Sequence, residues 1–109
     1  MKVPVQTLVP LYVHCTGAGN VGEAALYTDK EQLVTSIAGG TATATLTPRT
    51  NGRLRKAVFS IVTAAAGTWE LSKSGTSQIA TSAPDTSVLA RARIGATASG
   101  TNTFVVDFD

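Results

Sequence analysis

The sequence has 109 residues, enough for one domain with a real core and too few for two. Hydrophobic residues make up 43% and charged residues only 15%, and a formal net charge of +2 is too small to call for a nucleic-acid partner. The single cysteine, Cys15, excludes an intrachain disulfide and a cysteine-based zinc site, and no apolar run approaches the roughly 20 residues of a membrane helix.

Thr, Ser and Gly supply most of the polar character, in runs such as GGTATATLTP and GATASGTNT. This is the composition of turn-rich β proteins, because β-branched Thr suits a pleated surface and Gly suits tight turns. Along the chain, the opening MKVPVQTLVP holds Pro4 and Pro10, which resist a central strand. It either runs along a sheet edge or extends onto a neighbouring subunit. We read residues 1–10 as an extended N-terminal arm and take Val3, Val5, Leu8 and Leu11 as its candidate partner contacts. The apolar start is interrupted by Pro4, Gln6 and Pro10, and no small-residue cleavage site follows. It does not read as a signal peptide, so the expected site of synthesis is a cytosol.

A strand over VPLYVHC leads into CTGAGNVGEAAL, where Gly17, Gly19 and Gly22 spell the G-x-G-x-x-G of dinucleotide-binding loops. That loop works only between a strand and a helix whose first amides hold the pyrophosphate. Here EAALYT reads as another strand, and IAGGTA (37–42) lacks the acidic residue that a ribose would require. The glycines therefore read as a plain connection. The helix signal comes later, in TDKEQLVTSIAGG: Thr28 and Glu31 form a capping box, Asp29 lies in the first turn and Gly39 or Gly40 is a stop. This predicts a short helix over 29–37.

TATATLT (41–47) alternates, with Ala42, Ala44 and Leu46 on one face, and Pro48 ends it before a turn at Asn51-Gly52. Arg49, Arg53, Arg55 and Lys56 cluster there, with no acidic residue nearby in sequence and no aromatics to stack bases. A solvated turn competes with contact to an acidic protein surface or phosphates; Arg49, Arg53 and Arg55 form the second candidate contact set. KAVFSIVT (56–63) is apolar at both parities, as a central strand buried on both sides would be, and AAAG reads as a loop in preference to a helical turn. TWELSK (68–73) and SQIATS (77–82) flank SGT as a tight hairpin, with APDTS (83–87) a loop. Trp69 shares its parity with Leu71, which favours the core over a sugar-stacking platform with Tyr12 and Tyr27.

SVLARARIGATASGTNTFVVDFD reads as a hairpin turning near Gly100. Pairing Thr97 with Thr103 sets Ala96, Ile94 and Ala92 opposite Phe104, Val106 and Phe108, small against large on one face. The same register sets Arg93 opposite Asp107 and Arg91 opposite Asp109 on the other. Catalytic chemistry is thin. His14 is the only histidine, and Cys15 beside it points to the opposite face of a strand, so the two are not a local pair, although a distant partner stays open. No metal-loop spacing and no G-x-S-x-G elbow occurs. No catalytic residue, cofactor or metal is expected, and the chain reads as a non-enzyme.

The Ala/Thr/Gly/Ser-rich pattern of GGTATATLTP, FSIVTAAAGTWELSKSGT and SGTNTFVVDFD resembles small virion accessory proteins of tailed bacteriophages, the capsid decoration or cement and head-fibre type. The likeness covers most of the chain and is one of texture, with no diagnostic motif. GTATATLTP is also similar to strands of bacterial immunoglobulin-like adhesin modules. The phage resemblance implies a structural protein of the virion, made in the host cytoplasm, docking on the major capsid protein or another virion protein as a homo-oligomer, without membrane or nucleic acid. The expected fold is all-β, a single antiparallel β-sandwich, jelly-roll-like or immunoglobulin-like, with one short helix near 29–37. A receptor- or carbohydrate-binding module of a tail fibre or adhesin is the alternative, and it requires an exposed Trp69.

Overall fold

A computed structural model of the chain describes residues 2–81, 84–95 and 99–108. The described residues form nine strands and no helix: β1 (Pro4–Val5), β2 (Leu11–Cys15), β3 (Val21–Thr28), β4 (Gln32–Ile37), β5 (Thr43–Leu46), β6 (Gly52–Thr63), β7 (Gly67–Ser72), β8 (Val88–Ile94) and β9 (Gly100–Asp107). They make two antiparallel sheets. In the first, β6 pairs with β3 on one edge and β9 on the other, β1 lies beside its first two residues, and β4 is outside β3. The second runs β5-β2-β7-β8.

The two sheets share one core. From the first come Ala24, Leu26, Ala57, Phe59 and Ile61, and from the second Val13, Trp69, Leu71 and Ala92, all buried. Phe59 meets Trp69 edge to face between the sheets, ring centroids 6.1 Å apart. Burying an aromatic side chain of this size stabilises by roughly 1.5–3 kcal/mol beyond leaving it in water, and edge-to-face geometry adds to that.

The expected helix over 29–37 is instead β4, the second strand of a hairpin with β3. The capping bonds exist: Thr28 Oγ1 accepts from the N–H groups of Lys30 and Glu31, at 3.1 and 2.9 Å. But Thr28 N–H also donates to the Glu31 carbonyl at 2.9 Å, closing a two-residue turn over Asp29 and Lys30. QLVTSI after it is rich in β-branched residues and buries Leu33 and Ile37 at alternate positions, so strand packing overrides the local helix signal.

The C-terminal hairpin is also corrected. β8 pairs with β7 in the second sheet, where Ala92 faces Trp69, Arg93 faces Thr68 and Arg91 faces Glu70. β9 pairs with β6 in the first, where Val106 faces Ala57 and Asp107 faces Lys56. The expected pairings of Ala96, Thr97 and Asp109 lie outside the described residues. The parity was right for the described residues of that pairing: Ala92 and Ile94 on β8 and Phe104, Val106 and Phe108 at β9 all turn to the core. They meet it from two sheets and not as neighbours in one, and small-against-large matching does not distinguish the cases.

Two smaller expectations also change. SQIATS forms no strand in its described part; the chain from Lys73 makes a loop excursion closed by Lys73 N–H donating to the Ser87 carbonyl at 2.9 Å. β6 is central but buries only one face, with Val62 48% exposed on the other.

The glycine pattern has a structural account. Gly17 and Gly19 lie in the β2–β3 loop at φ +101° and +81°, conformations L side chains rarely adopt. Gly22 lies within β3, where the β6 backbone leaves no room for a Cβ.

Candidate functional site

The first candidate contact set divides. Val3, Val5 and Leu11 are core residues, at 4%, 4% and 5% exposure, and are not surface contacts. Leu8 is 74% exposed, and Val9 beside it is exposed too. Leu8 holds φ +65°, a costly conformation for a residue with a Cβ. Its surroundings impose it. Thr7 N–H donates to Asn51 Oδ1 at 2.8 Å, Leu8 N–H to the Pro48 carbonyl at 2.9 Å and Val9 N–H to the Gln6 carbonyl at 3.1 Å. Beside this loop is an apolar cleft of about 210 Å³ between Pro4, Val5, Val9, Pro10 and Leu11, with Lys73 at its rim.

The second set is brought to the same end of the molecule, because Pro48 and Asn51 are the groups that hold Leu8 and Thr7. The sequence shows no acid near the arginines, but folding supplies two from the β3–β4 turn. Glu31 takes the Arg49 guanidinium at 3.1 Å and the N–H groups of Arg49 and Thr50 at 2.8 and 2.9 Å. Asp29 Oδ1 accepts from Arg53 N–H at 2.8 Å. That backbone bond, with nearby Lys30 and Arg53, holds Asp29 below its ordinary pKa. Partial burial pushes Glu31 upward, but the bonds from Arg49 and Thr50 outweigh it and the net shift is down. The Arg49 side chain stays 76% exposed. Arg55 is the extra residue where the β3–β6 register slips, and it too is exposed.

A second assembly went unread in the sequence. On the face of the second sheet turned from the core, Thr43, His14, Glu70 and Arg91 form one cross-strand row over β5, β2, β7 and β8. His14 and Glu70 are buried although they lie outside the apolar core, because the loop after β7 covers them. His14 Nε2–H donates to the Ser74 carbonyl at 2.8 Å, and its Nδ1 accepts from Thr43 at 3.0 Å. Glu70 accepts Gln78 N–H at 3.0 Å and the Arg91 guanidinium at 3.0 Å, while Arg91 also donates to the Gln78 carbonyl. His14 Nε2 and both Glu70 oxygens hold the loop, Oε2 through Arg91, while His14 Nδ1 ties β2 to β5. Arg91 thus has a carboxylate partner in Glu70, across the β7–β8 pair; the expected partner Asp109 lies outside the described residues. The available signal was parity: His14, Glu70 and Arg91 fall on the outward positions of three strands.

At the other end of β2, a small cleft of about 190 Å³ lies between the glycine loop, residues 40–42 and Trp69. Trp69 is fully buried, as its parity predicted. Its indole N–H has no hydrogen-bond partner among the described residues. Cys15, also lining the cleft, is pushed up to about 11 by burial, so its thiol is held protonated near neutrality. Asn20 closes the loop's base: its Oδ1 accepts from the N–H groups of Ala64 and Ala65 at 2.6 and 3.0 Å, and its Nδ2 donates to the Ala65 carbonyl at 2.9 Å. No group of three or more His, Cys, Asp or Glu side chains suited to a metal occurs among the described residues. No family model, curated protein or solved structure matches the chain.

Proposed function

We propose that this chain is a viral structural protein that docks on and reinforces a bacteriophage capsid, with the fold of an antiparallel β-sandwich of jelly-roll or immunoglobulin-like kind. It would be made in the host cytoplasm and work in the virion. The observation that carries the docking reading is the pinned Gln6–Pro10 loop, which presents Leu8 and Val9 to solvent beside the exposed Arg49. An apolar knob held in a strained conformation by three backbone donors is pre-organised, so little conformational entropy is lost when it seats in a partner. A cationic side chain at its rim suits an acidic-edged groove on the capsid protein. Weak sites repeated by capsid symmetry reach high avidity without one dominant contact.

The reading contains no catalytic step: His14 is bound on both nitrogens and Cys15 is held as a thiol. The receptor- or carbohydrate-binding alternative relied on an exposed Trp69, and full burial removes that platform.

Deleting the arm does not test the docking reading, because residues 1–8 include two core valines. The doubly substituted L8D/V9D variant does, since both side chains are exposed. Added to capsids lacking the native protein, it is expected to lose particle association at least about tenfold while keeping its circular dichroism, the loss of a buried apolar anchor being worth more than about 1.4 kcal/mol. Unchanged association overturns the role of the loop. Quantitative mass spectrometry of purified particles tests the wider reading: copy numbers near that of the major capsid protein support it, and absence overturns it.

A further inference from the structure

The outer face of the first sheet carries an ordered pattern. The strand registers align Val34, Ala25, Val58 and Val105 in one row across β4, β3, β6 and β9. Val34 is 50% and Val105 57% exposed, so this is an open apolar band. One flanking row holds Ser36, Glu23, Ser60 and Thr103; the other holds Gln32, Tyr27, Lys56 and Asp107. The acid Glu23 and the base Lys56 thus lie on opposite sides of the band. Lys56 also leans across to β3, its Nζ 4.7 Å from the centre of the Tyr27 ring.

We infer that this face docks on the same face of a second copy of the chain, about a two-fold axis lying along the valine row. That operation keeps each strand over its counterpart and exchanges the flanking rows. Val34, Ala25, Val58 and Val105 meet their own copies. Glu23 of one molecule arrives over Tyr27 of the other, where the Lys56 ammonium already sits, and the pair forms twice by symmetry. Asp107 falls opposite Thr103, so no like charges meet. The other in-plane axis, along the strands between β3 and β6, sets the two Glu23 side chains one strand apart and leaves them unpaired; charge complementarity selects the first.

The size of the face sets the strength. Four strands about 4.8 Å apart and three rows about 7 Å apart bury on the order of 800 Å² over both copies, below the size of a standard stable interface. The dimer is therefore weak and concentration-dependent in solution. It uses other residues than the Leu8 loop and does not depend on what that loop binds.

Sedimentation equilibrium over a concentration series tests it. The unmodified chain is expected to move from monomer to dimer, and Val105→Asp to remain monomeric with unchanged circular dichroism. Glu23→Lys is expected to weaken the dimer at least about tenfold, since it turns two attractions into repulsions. Adding Lys56→Glu to that variant exchanges the charges and is expected to restore the dimer to within about threefold. A chain that stays monomeric throughout overturns the proposal, as does a dimer indifferent to Val105→Asp. Failure of the exchanged pair to recover overturns the two-fold arrangement. A face that captures only capsid protein and never its own copy assigns it to a different partner and also overturns the proposal.

Discussion

A methyl group on Gly22 would sit 1.9 Å from the Ser60 carbonyl oxygen and 2.9 Å from its carbon, both backbone atoms in the paired strand β6. No side chain can swing away to relieve such a contact; the β3–β6 ladder itself must open. Gly22→Ala is therefore expected to lower stability by about 3 kcal/mol or more, the upper range of overpacking. Gly40→Ala meets no atom within 4 Å and bears only the strain of φ +85°, about 1–2 kcal/mol. Chemical denaturation of the two variants checks the order, and equal losses would contradict this reading of Gly22. The same residues mark how far single positions could be read. That the glycines do not bind a nucleotide was legible, because the strand and helix such a loop needs were missing. That Gly22 answers to a close backbone approach was not, because Ser60 lies 38 residues further along the chain. Thr28 is the complementary case: its hydrogen bonds to the next turn were legible, but turns and helix starts share them, and only the burial of Leu33 and Ile37 decides between the two.

At the scale of elements, the row through His14, Glu70 and Arg91 clamps the long loop after β7 onto the sheet. Glu70 is fully buried, so removing its carboxylate leaves the Arg91 guanidinium, 12% exposed in its side chain, without a counter-charge. Glu70→Ala is expected to cost about 3–5 kcal/mol, the usual penalty for breaking a buried pair from one side. It also removes the acceptor for Gln78 N–H. Limited proteolysis in residues 73–81 should accelerate before the strands unfold. Cleavage only after global unfolding would mean that the row does not hold the loop. Short runs between turn residues made most elements legible: β2, β3, β5 and β7 fall on segments read as strands, and β6 on KAVFSIVT with four more residues at its start. Pairing was less so. β8 and β9 were each read with the correct inward face, yet a hairpin was inferred because their small and large residues match. Such matching arises equally when two strands face each other from different sheets, and the sequence between them carries no mark of which sheet comes next.

For the molecule as a whole, acid is the condition to which its surface turns respond. Asp29, Glu31 and Asp85 all titrate below their ordinary values of 3.8, 4.5 and 3.8 in the folded chain, Asp85 through the Ser87 hydroxyl and N–H. Groups with depressed folded pKa values contribute stability that is complete above the unfolded values and disappears as pH falls through the folded ones. Melting temperature should therefore be nearly flat from roughly pH 5 to 8 and drop below about pH 4. The D29N/E31Q variant should melt lower near neutrality and lose much of that acid slope. An unchanged slope would locate the acid sensitivity elsewhere. This behaviour was illegible in the sequence, because the β3–β4 turn and the basic turn that it ties down are about 20 residues apart and only the sheet brings them together. A longer separation explains the candidate site: Leu8 and Arg49 were both singled out, but not that Pro48 and Asn51, 40 and 44 residues beyond Leu8 and Thr7, make them one surface.

β6 takes partners from nearly the whole length of the chain, with Val3 and β1 at its start and β9 along most of its outer edge. During synthesis the first of these partners leaves the ribosome long before β6, and the last emerges only afterwards. Until residues 100–108 are released, the nascent chain carries a long, apolar strand with one edge bare. That interval, rather than the finished molecule, is when it is most exposed to pairing with other chains.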